Sequence, residues 1–148
     1  MTMFRIGALA LAGGAALVSG AVLAQDEELA FIGTSMFGNL EAGHEGAGEE
    51  VSGDFSAELD MKAGRMCYML EVAGADDFVA AHIHKAKAGE NGPPVVTLEL
   101  LGEDGEDVCV EVDAKLLKDL AKNRAKYYVN VHTAAFPEGA IRGQLGRE

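Results

Sequence analysis

Three of the chain's four histidines have a spacing that can bring their imidazoles together on one face of a β-sheet. His82 and His84 lie two residues apart in a segment with strand-like alternation, so both side chains project from the same face. In the segment 127–133 the alternate apolar side chains form the core face, which leaves His132 on the opposite, polar face. If these two strands are neighbours, the three rings converge.

Three neutral imidazoles are a good donor set for Cu(II), Zn(II) or Ni(II), and the order of affinities favours copper. Strand spacing specifies faces but not distances, so the same histidines can also be surface or hydrogen-bonding residues. His44 lies in a Gly-rich, acidic loop, and we predict that it is a solvated loop residue rather than a fourth ligand.

A cationic side chain is expected on the same face as the histidines. In the last predicted strand, Ile141, Gly143 and Leu145 suit the core face, so Arg142 and Gln144 project from the other side. An arginine beside a histidine cluster attracts anions, and we predict that Arg142 draws an anionic ligand or substrate towards the site.

The elements that must position these residues are short segments with period-two alternation, separated by Gly, Asn and Asp. A helix capped by Asp113 is predicted to begin at Ala114 and to end near Asn123. The pattern indicates an all-β fold, an antiparallel Greek-key β-sandwich or barrel with one short helix near the C-terminal third. The predicted strands are Phe31–Phe37, Val51–Met61, Met66–Val72, Phe78–His84, Val95–Leu101, Asp107–Val112, Tyr127–Thr133 and Ala140–Leu145.

Composition excludes several classes of function. The chain has 148 residues, 12 basic and 24 acidic ones, and a formal net charge of -12, which suits one compact, acidic domain. Nucleic acids and anionic membranes both require clustered Lys and Arg, so neither is an expected partner. A small anion, attracted by Arg142, or a protein is the expected partner instead.

The N-terminus has the pattern of a secretory signal peptide. Arg5 precedes an uncharged run from Ile6 to Val18, and small residues follow up to Ala24. The run is shorter than the roughly 20 residues that span a bilayer. We therefore predict cleavage after Ala24, a single mature domain over residues 25–148, and a periplasmic or secreted location. Losing Arg5 with the leader would make the net charge of the mature chain −13.

Cys67 and Cys109 are the only cysteines, and their spacing matches no zinc or thioredoxin motif. In an exported protein an even pair can form a disulfide. Both cysteines are predicted to point away from the core face of their strands, where neighbouring strands can join them.

Several segments resemble the chordin-type, or CHRD, domain family. They are Ala80-Ala-His-Ile-His84, Ala88-Gly-Glu-Asn-Gly-Pro93, Tyr128-Val-Asn-Val-His-Thr133 and Pro137-Glu-Gly-Ala-Ile-Arg-Gly-Gln-Leu145. The resemblance covers about residues 31 to 146 and implies an exported, β-rich domain. In animal chordin such domains accompany the binding of signalling proteins, so the family implies no single activity.

A weaker resemblance is to the copper–zinc superoxide dismutases, which also carry a His-x-His pair on one strand of a Greek-key β-barrel. It implies that His82, His84 and His132 are copper ligands and that Arg142 attracts superoxide. The chain has no bridging histidine between His84 and His132 and no zinc loop. The resemblance therefore implies a copper-only site, with zinc less expected.

Two hypotheses follow. The first is an exported CHRD-type domain that binds one copper ion through the three histidines, with possible superoxide dismutase-like redox activity. The second is a non-catalytic exported module that binds a metal or a protein, in which the histidines have no redox role. A His132→Ala variant with unchanged metal content would favour the second.

Overall fold

The computed structural model describes residues 29–38, 47–74, 77–100 and 108–146. The predicted signal peptide and His44 lie outside these residues. The described part folds into eight strands, one α-helix and a short 3-10 helix over Arg124–Lys126. The elements are β1 (Leu29–Gly38), β2 (Gly48–Asp60), β3 (Arg65–Ala73), β4 (Phe78–Lys85), β5 (Pro94–Leu98), β6 (Val108–Glu111), α1 (Ala114–Asn123), β7 (Tyr127–Thr133) and β8 (Ile141–Gln144).

The strands pair in the order β5-β4-β7-β8-β1-β2-β3-β6, and all pairs are antiparallel. Strands β1 and β8 are joined only by the pair Phe37↔Arg142 and by a bridge between Gly33 and Gly146. This narrow junction divides the strands into two four-stranded halves, whose apolar faces enclose one core. The chain leaves the second half after β3 and returns to it as β6, a crossed connection of the Greek-key kind. The all-β sandwich prediction is confirmed.

The hairpin of β2 and β3 follows the alternation in the sequence. Met66, Tyr68 and Leu70 are buried, whereas the intervening residues of β3 are half-buried or exposed. The turn between the strands is stabilised by Asp60, whose Oδ1 accepts hydrogen bonds from the backbone N–H groups of Lys62 and Ala63. Gly64 completes the turn with a φ of 70°, a left-handed conformation that favours glycine.

Helix α1 begins and ends where the sequence predicts. The side chain of Asp113 accepts hydrogen bonds from the N–H groups of Lys115 and Leu116 and so caps the helix. Leu117 and Leu120 are fully buried and attach the helix to the core. Among the described residues, no helix combines the length and the apolar character needed to cross a bilayer.

Cys67 and Cys109 form a disulfide, as predicted. The two residues lie directly opposite each other in the register of β3 and β6, so no backbone displacement is needed to join them. Both lie on the outer face, because Met66 and Tyr68, on either side of Cys67, are buried.

The strand boundaries differ from the predictions by up to three residues, since β2 begins at Gly48 rather than at Val51. The predicted strand Val95–Leu101 ends at Leu98, and residue 101 lies outside the described part. Strands β6 and β8 are shorter than predicted, whereas β1 is longer at both ends. One larger difference concerns β7, whose seven residues are all buried, including those on its polar face.

Candidate metal centre

The three histidines converge because β4 and β7 are neighbours. Their antiparallel register pairs Ala80 with His132, His82 with Asn130 and His84 with Tyr128. His132 therefore lies diagonally across from His82. The ring centroids form a triangle with sides of 5.6 Å (His82–His84), 5.1 Å (His82–His132) and 5.9 Å (His84–His132).

One ring nitrogen of each histidine lies within 4.8 Å of those of the other two. The tightest contact joins His82 Nδ1 and His132 Nε2 at 3.1 Å. Two nitrogens at that separation subtend roughly 100° at an ion about 2.0–2.1 Å from each, the usual imidazole–metal distance. For one ion to reach all three, no two nitrogens can be more than about 4.1 Å apart, so a pair at 4.8 Å must close by at least ~0.7 Å.

A backbone carbonyl fixes the orientation and tautomer of His84. Its Nδ1 lies 2.8 Å from the carbonyl oxygen of Gly92, and because that oxygen can only accept, Nδ1 carries the proton. His84 Nε2 consequently carries a lone pair and no proton. It is buried and has no hydrogen-bond partner among the described residues. Buried polar atoms without partners are rare, and one in a ring next to two other imidazoles is typical of a ligand position.

His132 is held in the same way by a different loop. Its Nδ1 donates to the carbonyl oxygen of Pro137 at 2.9 Å, which leaves Nε2 unprotonated and facing His82. Carbonyls that bind the outer nitrogen of a histidine ligand set its tautomer and raise its basicity in metal sites. The two loops therefore orient two of the three candidate ligands.

His82 is the most exposed member of the cluster. Because His132 Nε2 is an acceptor, His82 Nδ1 donates the hydrogen bond between them in the metal-free protein. A metal ion bound at His82 Nδ1 would hold the ring in its other tautomer, with the single proton of the neutral imidazole on Nε2. His82 is only half-buried, which leaves one side of the cluster open to small molecules.

The surroundings favour neutral imidazoles. Burial lowers the pKa of the His82 side chain, and the neighbouring His132 lowers it further. Burial also lowers the pKa of His84, an effect that exceeds the opposing one of the hydrogen bond to Gly92, and His132, His82 and Arg142 lower it as well. Neutral imidazole is the form that binds metals, so less proton competition opposes binding near neutral pH.

Arg142 lies on the predicted side of the sheet, next to the cluster, but its guanidinium is engaged with the protein. Nη1 donates to Asn91 Oδ1 and Nη2 donates to the carbonyl oxygen of Glu90, both at 3.0 Å. The guanidinium carbon lies 3.8 Å from the centroid of the Tyr128 ring. The residue is 5 % exposed, so these contacts bury it beneath the loop of residues 86–93, here named the 86–93 loop.

Lys85, the basic residue next to His84, is also paired. Its Nζ lies 2.7 Å from Asp119 Oδ2 of helix α1, and Tyr127 donates a further hydrogen bond to the same carboxylate. These contacts raise the pKa of Lys85 and lower that of Asp119. The ion pair joins the helix to the end of β4 that carries the histidines.

Sequence reasoning missed the residues that hold the cluster in place. Gly92 and Pro137 act through backbone carbonyls, which every residue type possesses, so their identities gave no signal. Both lie in the Gly- and Pro-containing segments that resemble the family, and this was the one indication that those loops matter. Tyr128 lies on the same face of β7 as His132, and its ring, stacked on His84 at a centroid distance of 5.0 Å, was not predicted.

The residues present fit a metal ion. The cluster combines two oriented lone pairs, on His84 and His132, with a third ring nitrogen, His82 Nδ1, that lies 3.1 Å from His132 Nε2. Cys67 and Cys109 are bound to each other, so no thiolate from the described residues competes as a ligand.

Comparison with known proteins identifies a family but no individual relative. The family model for the CHRD domain matches residues 33–145, from within β1 to the residue after β8. Searches among curated proteins and among solved structures find no match.

Proposed function

This chain belongs to the CHRD domain family, and we propose that its domain binds one copper ion through His82, His84 and His132. The observation that carries the proposal is the unpartnered, buried Nε2 of His84, in a ring whose centroid lies 5.6 Å from that of His82 and 5.9 Å from that of His132. A structural histidine cluster would satisfy that atom with a hydrogen bond, because leaving it unpaired costs about 1–3 kcal/mol.

The donor chemistry favours copper over the alternatives. Three imidazole nitrogens without a carboxylate or thiolate suit Cu(II), Zn(II) and Ni(II), whereas Mg(II) and Ca(II) prefer oxygen ligands. Among the imidazole-binding ions, Cu(II) has the highest intrinsic affinity. Zinc is the less favoured occupant in this proposal.

In this proposal each histidine has a separate task. His84 and His132 supply Nε2 lone pairs whose directions are set by the carbonyls of Gly92 and Pro137. His82 supplies Nδ1 from the open side, and its single ring proton moves from Nδ1 to Nε2. Neutral imidazoles therefore bind the ion without net loss of a proton, and the affinity should fall only at pH values low enough to protonate the histidines.

The test is the copper content of the protein, purified without a His tag and titrated with Cu(II) by calorimetry. We expect about one copper per chain in the wild-type protein. In His84→Ala and in His132→Ala the copper affinity should be at least about tenfold lower. The control is His44→Ala, which removes the fourth histidine and should keep full binding. Absence of copper uptake by the wild-type protein, or full uptake by a His82→Ala/His132→Ala double variant, would contradict the proposal.

A finer proposal is superoxide dismutase-like turnover. Three protein ligands leave a coordination position open, and the half-exposed His82 lies on the accessible side. Copper would supply one-electron exchange between Cu(II) and Cu(I), oxidising one superoxide to dioxygen and reducing a second, with two protons, to hydrogen peroxide. The role for Arg142 in this proposal is to attract the anion. Superoxide consumption by the copper-loaded protein, measured with a chelator that removes loose copper, tests it.

The alternative is a binding module without turnover. It is supported by the engagement of the Arg142 guanidinium with Glu90, Asn91 and Tyr128, and by the net charge of -12, which repels anions. Stoichiometric copper without superoxide consumption would select this alternative.

We also propose that the domain acts outside the cytoplasm. The Cys67–Cys109 disulfide suits an oxidising compartment. N-terminal sequencing of the protein recovered from the periplasm or the medium should begin at Gln25, and an intact Met1 in that fraction would contradict the predicted cleavage.

A further inference from the structure

We propose that Arg142 is a positioning residue of the histidine cluster, which orients His84 by holding both the 86–93 loop and the ring of Tyr128. This inference rests on the proposed function, since it assigns Arg142 a part in metal affinity. It differs from the anion-attracting role because it acts through protein contacts rather than through an approaching ligand.

The first route runs through the 86–93 loop. This loop supplies the Gly92 carbonyl that binds His84 Nδ1, and Arg142 binds the two residues immediately before Gly92, through the Glu90 carbonyl and the Asn91 side chain. Two parallel donors from one planar guanidinium fix direction as well as distance. The position of the Gly92 carbonyl therefore depends on Arg142.

The second route runs through an aromatic stack. The Tyr128 ring lies between the Arg142 guanidinium, at 3.8 Å, and the His84 imidazole, whose plane is inclined by 21° to it. The Tyr128 hydroxyl also accepts a hydrogen bond from the Gly92 N–H at 3.3 Å. Tyr128 thus contacts both His84 and the residue whose carbonyl binds it, and Arg142 covers the far side of its ring.

The loop has few other means of attachment. Lys87, Ala88, Gly89, Glu90 and Asn91 are all exposed. The loop returns to β4 through the hydrogen bond from the Lys85 N–H to the Pro93 carbonyl, where Gly92 passes so close that a Cβ would lie 2.0 Å from the Lys85 carbonyl oxygen. Gln144 Nε2 holds the carbonyl of Ala86 at the start of the loop. Within the described part of the chain, Arg142 is the side chain that binds the middle of the loop, at Glu90 and Asn91.

The variants are Arg142→Met, which keeps an extended side chain but removes the guanidinium donors, and Arg142→Lys, which keeps the charge. Arg65→Met is the matched control, because it removes a positive charge from an exposed side chain of β3, in the other half of the sandwich. Circular dichroism and thermal unfolding establish that each variant folds. Two readouts follow: the tautomer of His84 in metal-free protein, from ring ¹⁵N chemical shifts, and the dissociation constant for Cu(II).

In the wild-type protein and in Arg65→Met we expect His84 protonated at Nδ1. In Arg142→Met we expect a mixture of tautomers and a 10–100-fold weaker copper affinity, the usual effect of losing an outer-shell contact. Arg142→Lys should recover part of both, because an ammonium can bind one of the two acceptors.

An unchanged His84 tautomer together with an unchanged copper affinity in Arg142→Met would overturn the inference. A change confined to the salt dependence of superoxide turnover would also overturn it and support anion attraction instead. If the wild-type protein binds no copper, the proposed function fails, whereas the tautomer measurement still decides whether Arg142 orients His84.

Discussion

Strands β3 and β7 bury their side chains in different ways. In β3 burial alternates, so that Leu70 is 3 % exposed and its neighbour Met69 is 36 % exposed. In β7 all seven residues are buried. One face of each strand meets the core, but the other face of β3 meets solvent, whereas that of β7 is covered by the 86–93 loop and by residues 134–140.

The comparison shows what turns a polar strand face into a candidate site. Histidines on an uncovered face exchange partners with water, and nothing fixes their tautomers. On β7 and β4 the covering loops contribute carbonyls, from Gly92 and Pro137, that fix two of the three rings. His84 Nε2 is buried under the same cover.

The largest expected effect is a contrast between Tyr128→Ala and Met69→Ala, which both change the non-core face of a strand. Tyr128 is 2 % exposed, so its truncation should lower the free energy of unfolding by about 3–5 kcal/mol. Met69→Ala should change it by about 0.5 kcal/mol or less. Urea denaturation in the presence of a chelator measures both. Similar small losses would mean that the outer face of β7 is open in solution.

The disulfide belongs to the half of the sandwich whose outer face is exposed. Replacing Cys67 and Cys109 by serine should lower the free energy of unfolding by about 2–4 kcal/mol, because the unfolded chain regains freedom. Copper affinity should stay within about twofold under conditions where the variant is folded, since neither cysteine contacts a histidine. A large loss of affinity with the fold intact would show that the two halves are coupled.

Two glycines with positive φ allow a smaller comparison. An alanine Cβ at Gly64, in the exposed β2–β3 turn, meets no atom within 4 Å. The substitution should therefore lower the free energy of unfolding only through the left-handed backbone conformation, by about 1–2 kcal/mol. At Gly139, in the segment of residues 134–140 that covers β7, the Cβ would lie 2.1 Å from Asn130 Oδ1. Gly139→Ala should therefore be about 1–3 kcal/mol more destabilising than Gly64→Ala in chemical denaturation. Equal effects would contradict tight packing of that loop on Asn130.

The smallest effect is a dependence of stability on pH. The pKa values of His82 and His84 are lowered in the folded protein, so below about pH 6.5 the unfolded chain takes up protons first. The stability contributed by each neutral ring is complete above that pH and is lost as the pH falls towards the folded pKa, with a limiting slope of about 1.4 kcal/mol per pH unit. Metal-free protein should lose more stability between pH 7.5 and 5.5 than its His82→Gln/His84→Gln variant. Parallel curves would contradict this.

Much of the fold was predictable because its signals are local. Period-two alternation identified the strands, Asp113 marked the start of α1, and the parity of Cys67 and Cys109 placed both on an outer face. Parity also placed His82, His84, His132 and Arg142 on one side of the sheet, as observed.

The rest was not predictable because it depends on distant segments. His82 and His132 are 50 residues apart, and no local pattern says that their strands pair. The loops that cover β7 contact its side chains through backbone carbonyls, and residue type does not predict which carbonyls make these contacts. The partners of Arg142, 51 and 52 residues earlier in the chain, were hidden for the same reason.

The Cys67–Cys109 bond also determines how the chain is connected around the histidines. It closes a covalent ring that contains β4 and β5, and therefore His82 and His84, whereas His132 lies beyond the ring. A protease that cuts once between these cysteines opens the ring without releasing a fragment, so both histidines of β4 stay tethered. A cut between α1 and β7 separates His132 from them covalently, and only the sheet would then keep the three together.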